Sequence, residues 1–244
     1  MNNGKQRVFL TAEWKHLAML NYEIEPSVLV SFVPQGTELD SWNGRTFISI
    51  VGFLFQRTRV FGFPIPFHQD FVEVNLRFYV RHKAHDGWRR GVVFIKEIVP
   101  RFAIALVARN LYNEPYIALP MAHHIDGSPP SIKSAEYSWC FAGKQHSLKL
   151  ATKGEAKPLR DGSEAEFITE HYWGYNKQRD RSTLEYRVEH PRWQVYETSE
   201  VRFDCDVVGL YGSQFHDSLD CKPASAFLAE GSPVTVFKGE RVTR

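Results

Sequence analysis

Between Phe71 and His82 the chain alternates without a fault. Val72, Val74, Leu76, Phe78 and Val80 are apolar, and Glu73, Asn75, Arg77, Tyr79 and Arg81 stand between them. Period two marks a β-strand with one apolar and one polar face. In an open antiparallel sheet the polar face meets solvent, which is the commoner arrangement. In a closed barrel or cone the same face can line an interior pocket. Asp86-Gly87 then predicts a hairpin turn into a second strand, Trp88 to Val99.

A different pattern follows. Pro100 has the fixed φ of a helix start, and Phe102 to Ala108 contains no polar residue, with alanine at 103, 105 and 108. A helix that is apolar all round is a buried one. It ends on Arg109-Asn110, and Glu114-Pro115 turns the chain into a strand from Tyr116 to Ile125. Such a helix either only packs in the core or also delivers Arg109 and Asn110 to one end of it, with Tyr116 just beyond.

The remaining periodicities are shorter. Trp14, Leu17 and Ala18 share a helical face behind a Thr11 cap, and Tyr22 to Ile24 reads as a brief strand. Pro26-Ser27 opens a second short helix through Val33, which Pro34-Gln35-Gly36 ends. Asn43-Gly44 is a turn, and Thr46 to Phe55 a long strand. The aromatic loop Phe61 to Phe67, with two prolines, reads as an apolar loop packed on the core, the alternative being a lid. Hairpins are expected around Gly143-Lys144 and Gly231-Ser232. Residues 152–164 read as a surface loop, 183–190 and 193–197 as strands joined at Pro191, and 200–211 as holding a short helix. Neither repeat nor linker interrupts the chain, so one domain, 1–244, is expected, of the α+β class and rich in strands around one buried helix.

Composition agrees with that class and narrows the partners. Aromatic residues are 14% of the 244, which favours strands. A formal charge of only +2 gives no electrostatic case for nucleic acid or an anionic membrane. Cys140, Cys205 and Cys221 are odd in number and lack metal-ligand spacing, which fits a reducing, cytoplasmic setting. No phosphate loop, nucleophile elbow or zinc helix is present, and His123-His124, adjacent on a strand, point to opposite faces. No metal and no cofactor is therefore expected. The candidate chemistry lies in Glu73, Asn75 and Arg77 on the alternating strand, with Arg109, Asn110, Glu114 and Tyr116 beyond the apolar helix. A carboxylate beside a guanidinium can bind a polar small molecule or do acid/base work. It can equally be a structural ion pair.

Three stretches resemble the domain-of-unknown-function family 2071. They are Glu25-Pro26 through Val33-Pro34-Gln35-Gly36 to Leu39-Asp40 and Gly44; Phe71 to Val80; and Glu170-His171-Tyr172 with Val188-Glu189-His190-Pro191-Arg192-Trp193. That family looks like a relative of acetoacetate decarboxylase, whose fold is a β-cone of antiparallel strands around a buried helix. The resemblance aligns Ala103-Ile104-Ala105-Leu106, one extra residue and Ala108-Arg109-Asn110-Leu111 with the decarboxylase run before its reactive lysine pair. Arg109, Leu111 and Pro115 match. Tyr116 then stands where the decarboxylase has its Schiff-base lysine, and Ile117 where it has the neighbouring lysine. Glu73 matches one of that enzyme's two pocket glutamates, and apolar Phe47-Ile48-Ser49-Ile50 occupies the region of the other.

Imine chemistry needs an amine of lowered pKa, which Tyr116-Ile117 does not supply. The resemblance therefore implies the pocket without the decarboxylation. The leading expectation is binding, with turnover left open, of a small polar or carbonyl-containing molecule by Glu73, Asn75, Arg77, Arg109, Asn110 and Tyr116. The alternative is a non-catalytic ligand-binding or protein-interaction module. Homo-oligomerisation is left open by the sequence.

Overall fold

The computed structural model describes residues 6–100 and 115–242. Its strands are β1 (Val8–Glu23), β2 (Glu38–Leu39), β3 (Phe47–Val60), β4 (Phe63–Pro64), β5 (Phe71–Ala84), β6 (Gly87–Val99), β7 (Tyr116–Ala118) and β8 (Met121–Ser128), then β9 (Ser131–Phe141), β10 (Lys144–Pro158), β11 (Trp173–Lys177), β12 (Thr183–Glu189), β13 (Gln194–Asp204), β14 (Ser225–Phe237) and β15 (Glu240–Arg241). Seven of them close on themselves. β12, β11, β6, β5, β3, β1 and β14 each bond to the next, and β14 returns to β12 through Val188–Val236 and Glu189–Thr235. Every pair in the ring is antiparallel except β11 with β6. Beyond the ring the sheet continues from β14 through β13, β10, β9 and β8.

Ring closure separates the two faces of each strand into two apolar layers. Val72, Val74, Leu76, Phe78 and Val80 of β5 pack outward with Ile48 and Ile50 of β3 and with Tyr137, Trp139, Leu148 and Leu150 of β9 and β10. Contact of the ring with β9 in this outer layer is close: a Cβ on Gly52 would lie 2.5 Å from the Tyr137 ring. The inner layer holds Leu17, Met19, Phe47, Val51, Phe53, Phe55, Tyr79 and Trp193. One end of the interior is filled by the short helix Glu164–Thr169, whose Phe167 and Ile168 are buried. Ser163 caps it by accepting from the Glu166 amide, and Glu164 and Glu166 suit its first turn.

The strand-rich architecture agrees with the sequence, and both strands flanking Asp86-Gly87 form. The expected buried helix at 102–109 lies outside the described residues. Several other expectations are corrected. Residues 11–18 are not helical; they belong to β1, where His16 has φ 56° and the register with β3 shifts between Lys15 and Ala18. That bulge inserts one residue, so Trp14 and Leu17, three apart, both turn inward and imitate a helical spacing. The helix expected from Pro26 to Val33 stops at Leu29. The strand expected from 116 to 125 is two strands, parted at Leu119-Pro120.

Residues 152–164 are not a surface loop throughout, because β10 runs to Pro158 along β13. The hairpin expected at Gly231-Ser232 is absent: β14 is one strand, paired with β1 along its length. Gly231 takes φ 83° there and serves an irregular stretch of strand rather than a turn. The aromatic loop does not pack on the core. Phe61 and Gly62, both at positive φ, make a two-residue turn between β3 and β4, and Phe63 and Phe67 are 75% and 84% exposed. No helix among the described residues is long and apolar enough to cross a membrane.

Gly231 sets a test of the β14 correction. A Cβ there would lie 2.0 Å from the Trp14 carbonyl oxygen. The contact is with backbone and φ is positive, so Gly231→Ala is expected to destabilise the protein by about 2–4 kcal/mol. The measurement is a urea unfolding midpoint. A midpoint equal to that of the native chain would mean an exposed hairpin turn at this position.

Candidate functional site

The polar face of β5 points into the ring, not to solvent. Period two fixes which residues share that face, and closure decides where it looks. Glu73 and Asn75 are each only 2% exposed and Arg77 8%. They line a cavity of ≈ 230 Å³ together with Glu97 of β6 and Tyr116 of β7. Glu97 is opposite Asn75 on one side of β6 and opposite Tyr116 on the other. Facing this polar wall is an apolar one, from Trp14 and Leu17 of β1, Val51 and Phe53 of β3, Val188 of β12 and Val236 of β14. Thr169, His171 and His190 complete the lining at the inner end, and Ile65 and His68 lie among the residues following the exposed β3–β4 turn.

Glu73 is held from two sides. Asn75 Nδ2 donates to Oε1 at 3.0 Å and the Tyr116 hydroxyl donates to Oε2 at 3.2 Å. Burial destabilises its charged form and raises its pKa to about 7; the two hydrogen bonds and the Arg77 charge oppose that rise without cancelling it. Both protonation states of this carboxyl are therefore present near neutrality, the condition for acid/base work.

Arg77 is placed differently. Among the described residues it donates to the Ile168 carbonyl at 3.4 Å, lies over the Tyr79 ring, and makes no ion pair; its Nε finds no acceptor. Asn75 Oδ1, two residues away on the same face, is also buried without a donor. The contrast is Arg90, on β6. Its Nε reaches Asp40 Oδ2 at 2.6 Å. Burial opposes the Asp40 charge, but the hydrogen bonds and charge of its neighbours prevail and hold it at about 2. The His171–Asp40 contact, at 3.8 Å, is too long for a hydrogen bond, so Arg90 is the effective partner.

His171 itself is buried against the Tyr79 ring, centroids 4.6 Å apart, and burial pushes its pKa down to about 4. At pH 7 it is neutral. Arg90 lies 3.4 Å from Nε2 and can only donate, which assigns the ring proton to Nδ1. His190 is stacked between Tyr172 and Trp193, at 4.8 and 4.2 Å, and burial lowers its pKa as well. Behind the lining runs a polar chain: Tyr79 donates to Ser49, Ser49 to Asn21 Oδ1, and Asn21 Nδ2 to Ser225, with the first two contacts at 2.6 Å and the last at 3.0 Å.

Of the residues singled out in the sequence, Glu73, Asn75, Arg77 and Tyr116 come together around one cavity. Arg109, Asn110 and Glu114 lie outside the described residues. Sequence reasoning missed Glu97, Thr169, His171 and His190 as lining residues. Glu97 was hidden by a register shift opposite Leu76 and Arg77, which lets Phe94 and Glu97 both turn inward across a spacing of three. A signal for the histidines was present. Glu170-His171-Tyr172 and His190-Pro191-Arg192-Trp193 carry the family resemblance, and they supply His171, His190 and Trp193 to the cavity.

Comparison with solved structures gives the class first: this is an acetoacetate decarboxylase-like β-cone. The acetoacetate decarboxylase of Legionella pneumophila superposes with a TM-score of 0.64 at 13% identity, over 96% of this chain and 87% of that one. The enduracididine biosynthesis enzyme MppR, complexed with pyruvate, gives 0.67 at 10% identity over 98% and 91%. An acetoacetate decarboxylase-like enzyme from Sphingomonas wittichii gives 0.66 at 11% over 96% and 93%. Within that class, the pattern of the domain-of-unknown-function family 2071, an uncharacterized conserved protein, matches residues 11–233, and the chain belongs to that family. It is also similar to the uncharacterized protein YqjF of Bacillus subtilis, 30% identical over 115 residues. That match covers 47% of this chain and 46% of the relative.

The Glu73 environment makes stability depend on pH in a defined direction. A carboxyl whose folded pKa is raised holds its proton longer in the folded than in the unfolded chain. Stability therefore falls as pH rises from the unfolded value, near 4.5, to about 7, and is level above that. Glu73→Gln removes this dependence. Its stability relative to the native chain is expected to improve by about 2–3 kcal/mol between pH 5 and pH 8. Urea unfolding at the two pH values reads the difference; a constant gap would place Glu73 in contact with bulk water.

Proposed function

We propose that the protein binds a small molecule bearing a carboxylate or a carbonyl within the ring, with Arg77 holding its anionic group and Glu73 and Tyr116 serving as a proton-exchanging pair. One observation carries this reading: Arg77 is a buried guanidinium that faces a cavity with no ion pair among the described residues and with Nε lacking an acceptor. Buried charges are otherwise paired, so a bound anion is its natural complement. Glu73 can add a proton to a carbonyl oxygen or remove one beside it, because its pKa stands at about 7. That MppR is complexed with pyruvate supports an oxo acid as the kind of molecule to try. Arg109 and Asn110 stay candidates for the same pocket on the strength of the alignment alone. A cytoplasmic setting is part of the proposal, from three cysteines that are all free thiols.

Imine chemistry is not part of it. No lysine lines the cavity among the described residues, and the sequence from 101 to 114 contains none. Incubation with acetoacetate or pyruvate and borohydride is expected to leave the intact mass unchanged. A stoichiometric reduced adduct would overturn this.

Arg77→Met separates a binding role from a structural one. If Arg77 awaits an anion, the variant is expected to keep the native stability within about 1 kcal/mol or to exceed it, since it removes an unpaired buried charge. Binding of 2-oxo acids, read by calorimetry, is expected to be lost. Native affinity for these anions is also expected to fall as pH rises through 7, approaching tenfold per unit, because ionised Glu73 repels them. A variant that no longer folds would make Arg77 a structural strut and remove the proposal.

A further inference from the structure

The cavity has two walls of opposite character, and the proposed binding reading uses only one. The polar wall is β5 with Glu97 and Tyr116. The wall across from it is continuous aromatic and branched aliphatic surface, from Trp14, Val51, Phe53, Val188 and Trp193. The faces of these rings are fixed by one another. Trp14 meets Phe53 edge-on at 5.6 Å and Trp193 at 6.3 Å. A three- or four-carbon acid bonded to Arg77 would leave that surface untouched. It would also underfill the space: ≈ 230 Å³ at the packing density of protein interiors holds about ten non-hydrogen atoms.

Resting on the anionic reading of Arg77, we infer that the ligand is an amphipathic carboxylic acid, its carboxylate on Arg77 and an apolar body of about eight carbons, alkyl or aryl, against the Trp14–Phe53–Trp193 wall. Asn75 adds one requirement. Its Oδ1 is buried without a donor beside Arg77, so a hydroxyl or amine close to the carboxylate improves the fit. The route in is apolar as well. The cavity lining reaches Phe9, Val60 and Ile65, next to the exposed Phe61 and Phe63 of the β3–β4 turn.

The test is a series of straight-chain carboxylates from acetate to decanoate, with 3-phenylpropanoate, 2-hydroxyoctanoate and octanol, titrated into the full chain and into Arg77→Met. Calorimetry and the fluorescence of Trp14, Trp173 and Trp193 report binding. The expected result is affinity that rises about three- to fourfold per methylene up to roughly eight carbons. Arg77→Met is expected to lower it for acids at least tenfold and to leave octanol unaffected. Binding of 2-hydroxyoctanoate tighter than octanoate would support the role of Asn75. Acetate and pyruvate binding as tightly as octanoate, without dependence on chain length, would overturn this inference while leaving the anion site in place. Octanol binding as tightly as octanoate, with no effect of Arg77→Met, would overturn the anion site itself. Absence of binding by every acid in the series would overturn the inference.

Discussion

Everything about the site depends on the closure of the ring at Val188–Val236 and Glu189–Thr235. Without it β5 would be a strand of an open sheet, and Glu73, Asn75 and Arg77 would be ordinary solvated side chains. With it, the same three residues are almost removed from water. Alternation along β5 is then a partition between two environments. The odd-numbered residues enter an interior that also holds Phe53, Phe55 and Trp193, and the even-numbered ones enter the layer shared with β9 and β10. A one-residue slip of β5 would exchange the two sets and bury four polar side chains in the outer layer. Register and site are therefore fixed by one constraint.

That partition was legible only in part. The strand itself, its polar set and the turn at Asp86-Gly87 were plain, because period two has no helical equivalent over twelve residues. The direction of the polar face was not, since local sequence does not encode whether a sheet closes. Bulges account for two of the departures. A bulge at His16 places Trp14 and Leu17 on one face at a spacing of three, and the shift in β6 does the same for Phe94 and Glu97. Spacing of three is the signature used to recognise helices, so residues 11–18 of β1 imitate one. Gly231 misled in the opposite sense, because a glycine at positive φ inside a strand has the composition of a turn. The bulges in β1 and β6 belong to the wall of the cavity, which is where departures from regular pairing tend to collect.

The resemblance to acetoacetate decarboxylase implies an acid and an amine side by side, and in this chain Glu73 has Tyr116 beside it instead. Tyr116 changes what Glu73 can do. A lysine ammonium beside the carboxyl would favour its ionised form; a phenol hydroxyl at 3.2 Å gives one neutral hydrogen bond, and burial outweighs it. A tyrosine at this place, compared with an amine, offers no nucleophile and leaves the proton affinity of the carboxyl high. The two consequences act through the same contact, and the proposed function takes proton exchange, not covalent attachment, as the chemistry to test in this cavity.

Two arginines near the inner end of the ring are placed in contrasting ways. Arg90 and Arg77 both approach the helix Glu164–Thr169, through the carbonyls of Phe167 and Ile168, each at 3.4 Å. Arg90 is matched by Asp40 at 2.6 Å and stands over the Phe167 ring. Arg77 has no such match among the described residues, although it is the more buried of the two. Desolvation of a guanidinium is less severe than that of an ammonium, but it is still unfavourable without a counter-charge. Glu73 is the carboxylate on its own strand, but its two oxygens are taken by Asn75 and Tyr116 and it makes no ion pair with Arg77. The chain pairs Arg90 of β6 with the buried Asp40 and leaves the charge on β5 directed at the cavity instead. Its complement is best sought in what enters the cavity.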